Sequence, residues 1–417
     1  MNTTPADIVV IGAGIVGLCC ALSLQRAGLK VLLLDGTGAG SGASFGNAGL
    51  ISTGSCIPIA LPGMIRQVPG WLLDPRGPLS VRPGHALKAL PWLLRWLRSA
   101  SPDNVRRASA ALSALHAPAL RCYETLLGRE QCDQLIARNG QLHLWSSSSA
   151  RPSRADRLVE QLRRQHHVAT VPVDQADIRR RMPAIAPHVQ AGICFTEHAN
   201  TVNPQALTQA LLGQFLASGG TWQILRVQKI ERSARGFRLW SSAGDLSAPR
   251  VVVAAGAHSA ELVRGLGMRI PLEFERGYHV ELPAPGVHVP QPFIYKDRAV
   301  AVTPMQHGLR FAGTVEIAGL HHPPDARRID AILDAARDLF PGIRTQGARS
   351  WFGLRPSTPD SLPVIDESPS LPGLYVACGH GHTGMTGAPM TGELIAQLVA
   401  GTPTSLKPAD YALSRFD

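Results

Sequence analysis

At 417 residues the chain is too long for one ordinary hydrophobic core, and we expect two domains. Hydrophobic residues make up 45% and charged residues 17%, which excludes wholesale disorder, and no apolar run reaches the roughly 18 residues of a spanning helix. The net charge of +11 comes from arginines spread along the chain, which is typical of solvated faces, so a nucleic-acid partner is not expected.

The cysteines and the N-terminus indicate a compartment. The seven cysteines are scattered and include no CxxC pair, so we expect reduced thiols, no disulfide framework and no metal site. The first residues lack a basic region and a cleavage site, so no signal peptide is expected. Together these features predict a cytoplasmic protein.

The N-terminal segment predicts a strand, a tight turn, a helix and a second strand. Residues 12–17 (GAGIVG) match GxGxxG, and Asp35 ends the second strand. Gly12 allows the turn, Gly14 lets the backbone approach a pyrophosphate, and Gly17 lets helix and strand pack closely. The helix N-terminus would bind phosphates, and Asp35 would accept hydrogen bonds from ribose hydroxyls. This unit predicts a dinucleotide-binding Rossmann domain.

The rest of the chain alternates helical and strand patterns. Residues 37–63 are irregular, 85–99 and 104–136 are helical, Asn203 caps a helix to about Ala217, strands follow to 255, 276–315 alternate like antiparallel strands, and 326–339 and 384–400 are helical. This order predicts an α/β protein with a Rossmann-type domain of discontinuous segments and an inserted α+β substrate domain on an antiparallel sheet. The first domain is expected at 1–85, 200–270 and 345–417, and the second at 86–199 and 271–344.

Four segments together resemble the D-amino-acid oxidase (DAO) superfamily, and within it the bacterial FAD-dependent D-amino-acid dehydrogenases. They are residues 8–35, 44–49 (SFGNAG), 251–259 (VVVAAGAHS) and the stretch from Trp351 onward. The likeness runs over nearly the whole chain, with matching order and spacing. It implies FAD as the cofactor. Related sarcosine oxidases attach flavin to a cysteine near the position of Gly353, and because no cysteine lies there we expect non-covalent FAD.

The resemblance also implies the FAD contacts. The 251–259 segment would form a second contact, the backbone of Val227 would meet the adenine, and the 41–49 loop would wrap the flavin side. The expected FAD-binding residues are Gly12, Gly14, Ile15, Val16, Gly17, Asp35, Gly36, Ser44, Asn47, Ala48, Val227, Ala255, Gly256, Gly353, Arg355, Gly381, His382, Thr383, Gly384, Met385 and Thr386.

Two C-terminal strings predict the reaction site. In residues 351–360 (WFGLRPSTPD), the resemblance implies that Arg355 holds a substrate carboxylate, and a planar guanidinium does this through two parallel charge-assisted hydrogen bonds. The alternative is a structural arginine paired with an acid. In residues 378–386 (CGHGHTGMT), the glycines indicate close backbone approach, and a helix N-terminus there would stabilise anionic reduced flavin. His382 in this loop is either catalytic or structural.

A third string, from Glu275 onward, opens the antiparallel region. Alternation places Tyr278 and Val280 on one face and His279 on the other. Tyr278 would contact the substrate or pack in the core. Tyr295 and Asn47 are further candidates for the site.

These features predict oxidative deamination of D-amino acids to 2-oxo acids, with hydride transfer from Cα to flavin N5. The nitrogen must first be neutral, so the rate should rise with pH, and no dedicated general base is required because FAD carries the difficult step. Alternatives are oxidation of cyclic or N-substituted amino acids such as hydroxy-D-proline, D-proline or sarcosine, a flavoprotein acting on tRNA, and a non-catalytic flavin subunit.

The electron acceptor would be quinone or oxygen. Residues 85–98 mix Trp, Leu and basic residues, and Met64-Ile65-Arg66 and Trp71-Leu72-Leu73 are similar in character. This composition favours a peripheral contact with the inner face of the cell membrane. The alternative is a helical pair that covers the pocket.

Overall fold

The computed structural model of the chain describes residues 6–64, 70, 79–146 and 153–417. Its helices are α1 (Ile15–Arg26), α2 (Pro83–Ser99), α3 (Pro102–His116), α4 (Ala119–Leu127), α5 (Arg129–Leu135), α6 (Arg154–Gln165), α7 (Gln175–Arg181), α8 (Pro204–Ala217), α9 (Ser259–Arg264), α10 (Arg327–Leu339) and α11 (Gly384–Ala400). Its strands are β1 (Ile8–Ile11), β2 (Val31–Asp35), β3 (Leu50–Ile51), β4 (Leu79–Val81), β5 (Ile136–Ala137), β6 (Gln141–Trp145), β7 (Thr170–Asp174), β8 (Ala191–Phe195), β9 (Ala199–Thr201), β10 (Thr221–Ile224), β11 (Val227–Ser233), β12 (Gly236–Ser241), β13 (Leu246–Ala248), β14 (Val251–Val253), β15 (Glu273–Leu282), β16 (Phe293–Tyr295), β17 (Val300–Met305), β18 (Gly308–Ile317), β19 (Arg349–Ser357), β20 (Val364–Glu367) and β21 (Leu374–Cys378).

The N-terminal strand-turn-helix-strand unit belongs to a six-stranded sheet. The strand order is β10-β2-β1-β14-β21-β20, and every pairing is parallel except that of β20 with β21. Strands β1, β14 and β21 are buried along their whole length, as parallel strands covered on both faces must be. The expected Rossmann-type domain is therefore confirmed, and its strands come from separate segments of the chain.

Each face of this sheet packs against its own layer. One face packs against α1, α8 and α11 in a core that also includes Tyr123 of α4. The other packs against the three-stranded sheet β11-β12-β13. Helices α1 and α11 approach closely, because a Cβ on Gly392 would lie 2.5 Å from the carbonyl oxygen of Cys19.

A nine-stranded, mainly antiparallel sheet forms the second domain. Its order is β19-β15-β18-β17-β16-β6-β8-β7, with β4 pairing β18. Two pairings, β16 with β6 and β18 with β4, are parallel. Helix α10 packs on this sheet, with Ile332 and Leu339 in the core between them.

The pairing differs from the expected domain boundaries at three places. Strands β4 and β19 lie in segments assigned to the first domain, yet both hydrogen-bond to the nine-stranded sheet. Helices α3, α4 and α5 lie in a segment assigned to the second domain, yet Leu115, Tyr123 and Cys132 pack in the core under the six-stranded sheet. Neither arrangement leaves a local sequence signal, since both depend on long-range partners.

Helix α2 runs through Pro91 without a break and begins with Pro83 in its first turn. Among the described residues, no helix is both long and apolar enough to cross a membrane. The segments Met64-Ile65-Arg66 and Trp71-Leu72-Leu73 fall mostly or wholly outside the described residues.

Candidate active site

A cavity of 2250 Å³ lies between the two domains. It exceeds the roughly 300–1,000 Å³ of a pocket for one small ligand, as a cavity for a dinucleotide together with a substrate must. All of the sequence-predicted site residues line it except Gly17 and Tyr295. Segments far apart in the chain, including 12–16, 44–48, 255–256, 353–355 and 381–386, therefore meet around one space.

The glycine turn lies at the carboxyl end of β1. Gly12 has φ +106°, and a Cβ there would lie 2.4 Å from the carbonyl oxygen of Ala254 at the end of β14. A Cβ on Gly17 would lie 1.8 Å from the carbonyl oxygen of Gly12. Gly17 therefore serves the packing of helix against turn, which is why it does not line the cavity. Any side chain at either position would push the start of α1 out of place.

Asp35 and Ser44 fasten the loops around this turn. The Asp35 carboxylate accepts hydrogen bonds from the backbone N–H of Ala13 at 2.9 Å and of Thr37 at 2.8 Å. The Ser44 hydroxyl accepts one from the N–H of Ile15 at 2.9 Å. Each carboxylate oxygen has a second lone pair, so Asp35 can hold the turn and still accept from a ribose hydroxyl.

A second helix N-terminus faces the cavity from the C-terminal segment. The loop before α11 turns through Gly379 (φ +83°) and Gly381 (φ +52°). Helix α11 begins at Gly384 without a side-chain cap, and within the described chain the N–H groups of Gly384 and Met385 donate to no other residue. Free N–H groups at a helix start attract negative charge. The cavity is thus lined at two separate places by helix N-termini that attract negative charge, the start of α1 and the start of α11.

His382 extends from this loop into the cavity. Although its ring faces open space, desolvation by the surrounding protein and then the charge of Arg355 lower its pKa to about 4. His380 turns the other way, where its Nε2 lies 2.9 Å from the hydroxyl of Thr391, and burial lowers its pKa to about 3. Both rings are neutral at pH 7, so neither is a proton donor poised near neutrality.

Arg355 lies on β19 directly across the ladder from β15. A Cβ on Gly277 would lie 2.2 Å from Nη2 of Arg355, so the guanidinium rests on bare backbone. The pairing of β15 with β18 shifts register at this point, between Arg276 and Tyr278. Within the described residues Arg355 forms no hydrogen bond and no ion pair. Burial lowers its pKa and nearby Glu275 opposes that shift. A desolvated guanidinium whose N–H groups form no hydrogen bond is well suited to bind an anion.

Trp351 lines the cavity with His279 stacked on its ring, a pair that the sequence did not single out. The Trp351 ring occupies the space of two missing side chains, since a Cβ on Gly46 would lie 1.8 Å from it and one on Gly353 2.0 Å. His279 stacks on the same ring at 5.3 Å and its Nδ1 donates to the carbonyl oxygen of Gly46 at 3.0 Å. The sequence feature that corresponds to this contact is the pair Gly46 and Gly353, and only the fold brings these two glycines together.

Asn47 shapes the loop rather than reaching across the cavity. Its Oδ1 accepts from the N–H of Gly49 at 2.8 Å, and its carbonyl oxygen accepts from Arg310 at 2.6 Å. Arg310 is itself paired with Glu281 at 2.8 Å. The side chain of Asn47 is therefore already engaged within its own loop.

Tyr278 and Tyr295 both belong to the core of the second domain. The Tyr278 hydroxyl donates to Glu316 and accepts from the N–H of Asp325 at 2.9 Å, which favours its core role over a substrate contact. As alternation predicted, Val280 shares its core while His279 lies on the other face, against Trp351.

The structure corrects the prediction that Tyr295 belongs to the site. It does not line the cavity, whereas its neighbours Ile294 and Lys296 do. Successive side chains of a strand point to opposite faces, so Tyr295 points into the core, where its ring lies 6.1 Å from that of His188. The sequence did not indicate which face of β16 meets the cavity.

Comparison with known proteins gives the family. The family model described as FAD dependent oxidoreductase, abbreviated DAO, matches residues 7–398. The chain belongs to this DAO family. It is 35% identical over 419 residues to a D-amino-acid oxidase of Bradyrhizobium diazoefficiens and 32% identical over 425 residues to a D-amino acid dehydrogenase of Paramagnetospirillum magneticum, with 98% of both chains covered in each case.

Solved structures of DAO-type flavoenzymes share the fold. Glycine oxidase from Geobacillus kaustophilus matches with a TM-score of 0.72 and 22% identity over 99% of both chains. L-Proline dehydrogenase from P. horikoshii matches with a TM-score of 0.73 and 18% identity over 99% of this chain and 98% of its own. As a member of the DAO family this chain is an FAD-dependent oxidoreductase, and the glycine turn and the start of α11 fit the cofactor.

Proposed function

We propose that this protein oxidatively deaminates D-amino acids to 2-oxo acids. The observation that carries the proposal is the guanidinium of Arg355, which lies in the cavity beside the loop that begins α11 and forms no hydrogen bond or ion pair with the described residues. An α-carboxylate is the anion that fits a planar, two-pronged donor. The substrate class named for the two curated relatives supports the same choice.

Each part of the cavity has a role in this proposal. FAD, held by the glycine turn, the 44–48 loop, Val227, the 255–256 segment and the start of α11, supplies the acceptor for hydride from the substrate Cα. Arg355 binds the α-carboxylate and so fixes which hydrogen is presented. His382 is neutral and adds no charge beside the amine. The nitrogen loses a proton to solvent, and water then releases the imine product as 2-oxo acid and ammonia.

Anaerobic reduction of the bound cofactor tests the proposal. The purified protein is mixed without oxygen with D-, L- and cyclic amino acids, and loss of the visible flavin band is followed by stopped flow. We expect D-amino acids to bleach the flavin fastest. Faster bleaching by D-proline or sarcosine would replace this proposal with oxidation of cyclic or N-substituted amines, and no bleaching would indicate a non-catalytic subunit.

Arg355→Ala tests the carboxylate contact. We expect a loss of about 2–5 kcal/mol in kcat/KM, the usual range for truncating one partner of a buried charge pair, with FAD still bound. Arg349→Ala is the matched control, since Arg349 is exposed on the same strand. If both variants keep the activity of the unmodified protein, the carboxylate contact is elsewhere.

We also propose that α2 touches an anionic membrane surface and that the acceptor is a membrane quinone. Leu87, Leu90 and Leu94 are exposed at helical spacing, with Lys88 and Arg95 beside them. The opposite face of the helix is anchored near the site, because Trp92 Nε1 donates to the carbonyl oxygen of Ser357 at 3.0 Å. We infer from this contact a peripheral location at the inner face of the cell membrane.

Vesicle binding and acceptor assays test the location and the acceptor. We expect cosedimentation with vesicles containing anionic phospholipid and not with neutral vesicles, and Leu87→Ser with Leu94→Ser should abolish it. Reoxidation by a soluble quinone should outpace reoxidation by oxygen. Binding to neither vesicle together with fast reoxidation by oxygen would assign an oxidase without a membrane contact.

A further inference from the structure

Besides Arg355, four basic side chains line the cavity on the side of the second domain, Arg157, Arg163, Arg164 and Lys296, and two of them, Arg163 and Lys296, form no ion pair with a described residue. Arg163 lies on α6, and Lys296 directly follows β16. The Arg163 guanidinium lies 5.1 Å from the centre of the Phe195 ring, which holds it against the cavity wall. The two cations influence each other, because desolvation and then the charge of Arg163 lower the pKa of Lys296.

Neither Arg163 nor Lys296 forms an ion pair in the part of the chain that the structure describes. Burial lowers the pKa of Arg163, and the charges of Cys56, Glu160 and Asp156 oppose this shift without reversing it. The acids nearest to Arg163 are on its own helix and are engaged, Glu160 with Arg164 at 3.0 Å and Asp156 in the helix cap. Cations left together without a counter-ion are costly in a partly desolvated space, so the arrangement calls for an anionic ligand.

The wall behind the two cations is polar and uncharged. The N–H of Gly54 donates to His198 Nε2 at 3.1 Å, so the proton of this neutral ring is on Nδ1, 3.2 Å from Gln141 Oε1. That oxygen also accepts from Ser52 at 2.9 Å, which leaves the Gln141 amide nitrogen to donate to His143 Nε2 at 3.1 Å. Every acceptor in this chain of hydrogen bonds is already used.

The rings of His143 and His198 stay neutral. Desolvation and then the charges of Lys296 and Arg163 lower the pKa of His143, and desolvation lowers that of His198 to about 3. The wall therefore offers no negative charge that could compensate Arg163 and Lys296.

The two cations and Arg355 face a common space. All three line the same cavity, and His382 is near enough to both Arg355 and Lys296 that, after desolvation, the charges of both lower its pKa. The expected phosphate site is elsewhere, at the glycine turn on the other domain. A ligand held by Arg355 through one carboxylate thus has a second cationic site within the same cavity.

We propose that the preferred substrate is an acidic D-amino acid, with its α-carboxylate on Arg355 and its side-chain carboxylate on Lys296 and Arg163. The inference rests on the proposed function and specifies its substrate class. A neutral side chain of the same shape would leave both cations unpaired, and a site built for a polar group rejects an analogue that lacks it. D-Aspartate and D-glutamate are thereby distinguished from D-asparagine and D-glutamine.

Anaerobic reduction with matched acid and amide pairs tests the inference. We expect kcat/KM for D-glutamate or D-aspartate to exceed that for its amide by about tenfold or more. Lys296→Met and Arg163→Met should each reduce this acid-to-amide ratio towards one. Lys30→Met, which replaces an exposed lysine on the other domain, should leave the ratio unchanged.

The outcomes separate this inference from the proposed function. Reduction of the flavin by D-amino acids with an acid-to-amide ratio near one would refute the acidic preference and leave the deamination intact. If no amino acid reduces the flavin, titration of the visible flavin spectrum with dicarboxylate and monocarboxylate ligands still tests the cationic site. Glutarate should perturb the spectrum at lower concentration than butyrate does, and this advantage of glutarate should be smaller in Lys296→Met. Equal effects of glutarate and butyrate would refute the cationic site.

Discussion

The guanidinium of Arg355 occupies the place where a side chain of Gly277 would stand. A Cβ on Gly277 would lie 2.2 Å from Nη2 and 2.3 Å from Cζ of Arg355. The two residues are on neighbouring strands, where Gly277 pairs with Gly353. The carboxylate site therefore depends on a residue that contributes no atoms beyond its backbone, and the bulge at Gly277 lies where Arg355 must reach the cavity.

Gly277→Ala should displace the guanidinium of Arg355 without disturbing the glycine turn at the expected FAD site. The added methyl group must displace the guanidinium, and a misplacement of about 1 Å costs on the order of 100-fold in rate. We expect kcat/KM to fall by about that factor while FAD stays bound at full occupancy. Steady-state kinetics and the ratio of visible to ultraviolet absorbance measure the two effects.

Gly342→Ala is the control for this variant, because nothing lies within 4 Å of a Cβ at that position. It should keep the kinetics of the unmodified protein. Unchanged kcat/KM in Gly277→Ala would mean that Arg355 has room to move and does not hold the carboxylate from this position.

Gly17→Ala should release the cofactor. Its Cβ would lie 1.8 Å from the carbonyl oxygen of Gly12, and because this contact is with backbone there is no flexible side-chain end that could yield. Overpacking of this kind costs about 1–3 kcal/mol, which we expect to appear as weaker FAD binding and a colourless purified protein. Circular dichroism shows whether the variant is folded.

Gly213→Ala on α8 provides the comparison, since its Cβ would meet nothing within 4 Å. It should remain yellow. A yellow Gly17→Ala protein with unchanged FAD affinity would contradict the packing assigned to the turn.

The features that the sequence predicted are those with local signals. The glycine turn, the Asn203 cap of α8 and the bounds of α11 all follow from short patterns, and the structure agrees with each. The Asn203 side chain accepts from the N–H of Ala206 at 3.0 Å, as a cap does. Turns and caps are decided by a few neighbouring residues, which is why they can be predicted from one sequence.

The features that could not be predicted depend on distant partners. Strand β6 was not anticipated, and it pairs in parallel with β16, after which Lys296 lines the cavity while Tyr295 packs in the core. The Trp351 ring fits against Gly46 and Gly353, of which one is three hundred positions away on the chain. Neither relationship leaves a periodic pattern, because each is a contact between faces and not within an element.

Tyr278→Phe should affect stability far more than activity. The change removes the donor to buried Glu316 and the acceptor for the N–H of Asp325. Glu316 keeps its hydrogen bonds from Arg82 and Arg276, so the N–H of Asp325 is the group left unsatisfied. Because one such group costs about 1–3 kcal/mol, we expect the free energy of unfolding to fall by an amount in that range. Urea unfolding measures it, and kcat/KM should stay within a few-fold of the unmodified protein. The reverse pattern, with unchanged stability and a large loss of kcat/KM, would restore Tyr278 as a substrate contact.

The free energy of unfolding should fall as the pH drops from about 6.5 towards 4, because several histidines are buried in the neutral form. Burial lowers the pKa of His116 from 6.5 to about 4, and that of His198 and His380 to about 3. Below pH 6.5 these histidines become protonated in the unfolded chain but stay neutral in the folded protein. Their contribution to the free energy of unfolding is therefore complete above pH 6.5 and is lost on acidification. Each ring contributes a slope of up to about 1.4 kcal/mol per pH unit.

His116→Gln isolates one of these protons. His116 donates through Nδ1 to the carbonyl oxygen of Ser55 at 2.6 Å, and its Nε2 has no partner among the described residues. The variant should be less stable at pH 7. Between pH 6 and 5, however, its unfolding should take up about one proton fewer than that of the unmodified protein, so its free energy of unfolding should depend less steeply on pH. Urea unfolding across this range measures the difference, with pH 8 as the reference, where His116 is neutral in both the folded and the unfolded state and the two slopes should coincide. Equal slopes in the two proteins would show that His116 is protonated in the folded state as readily as in the unfolded chain.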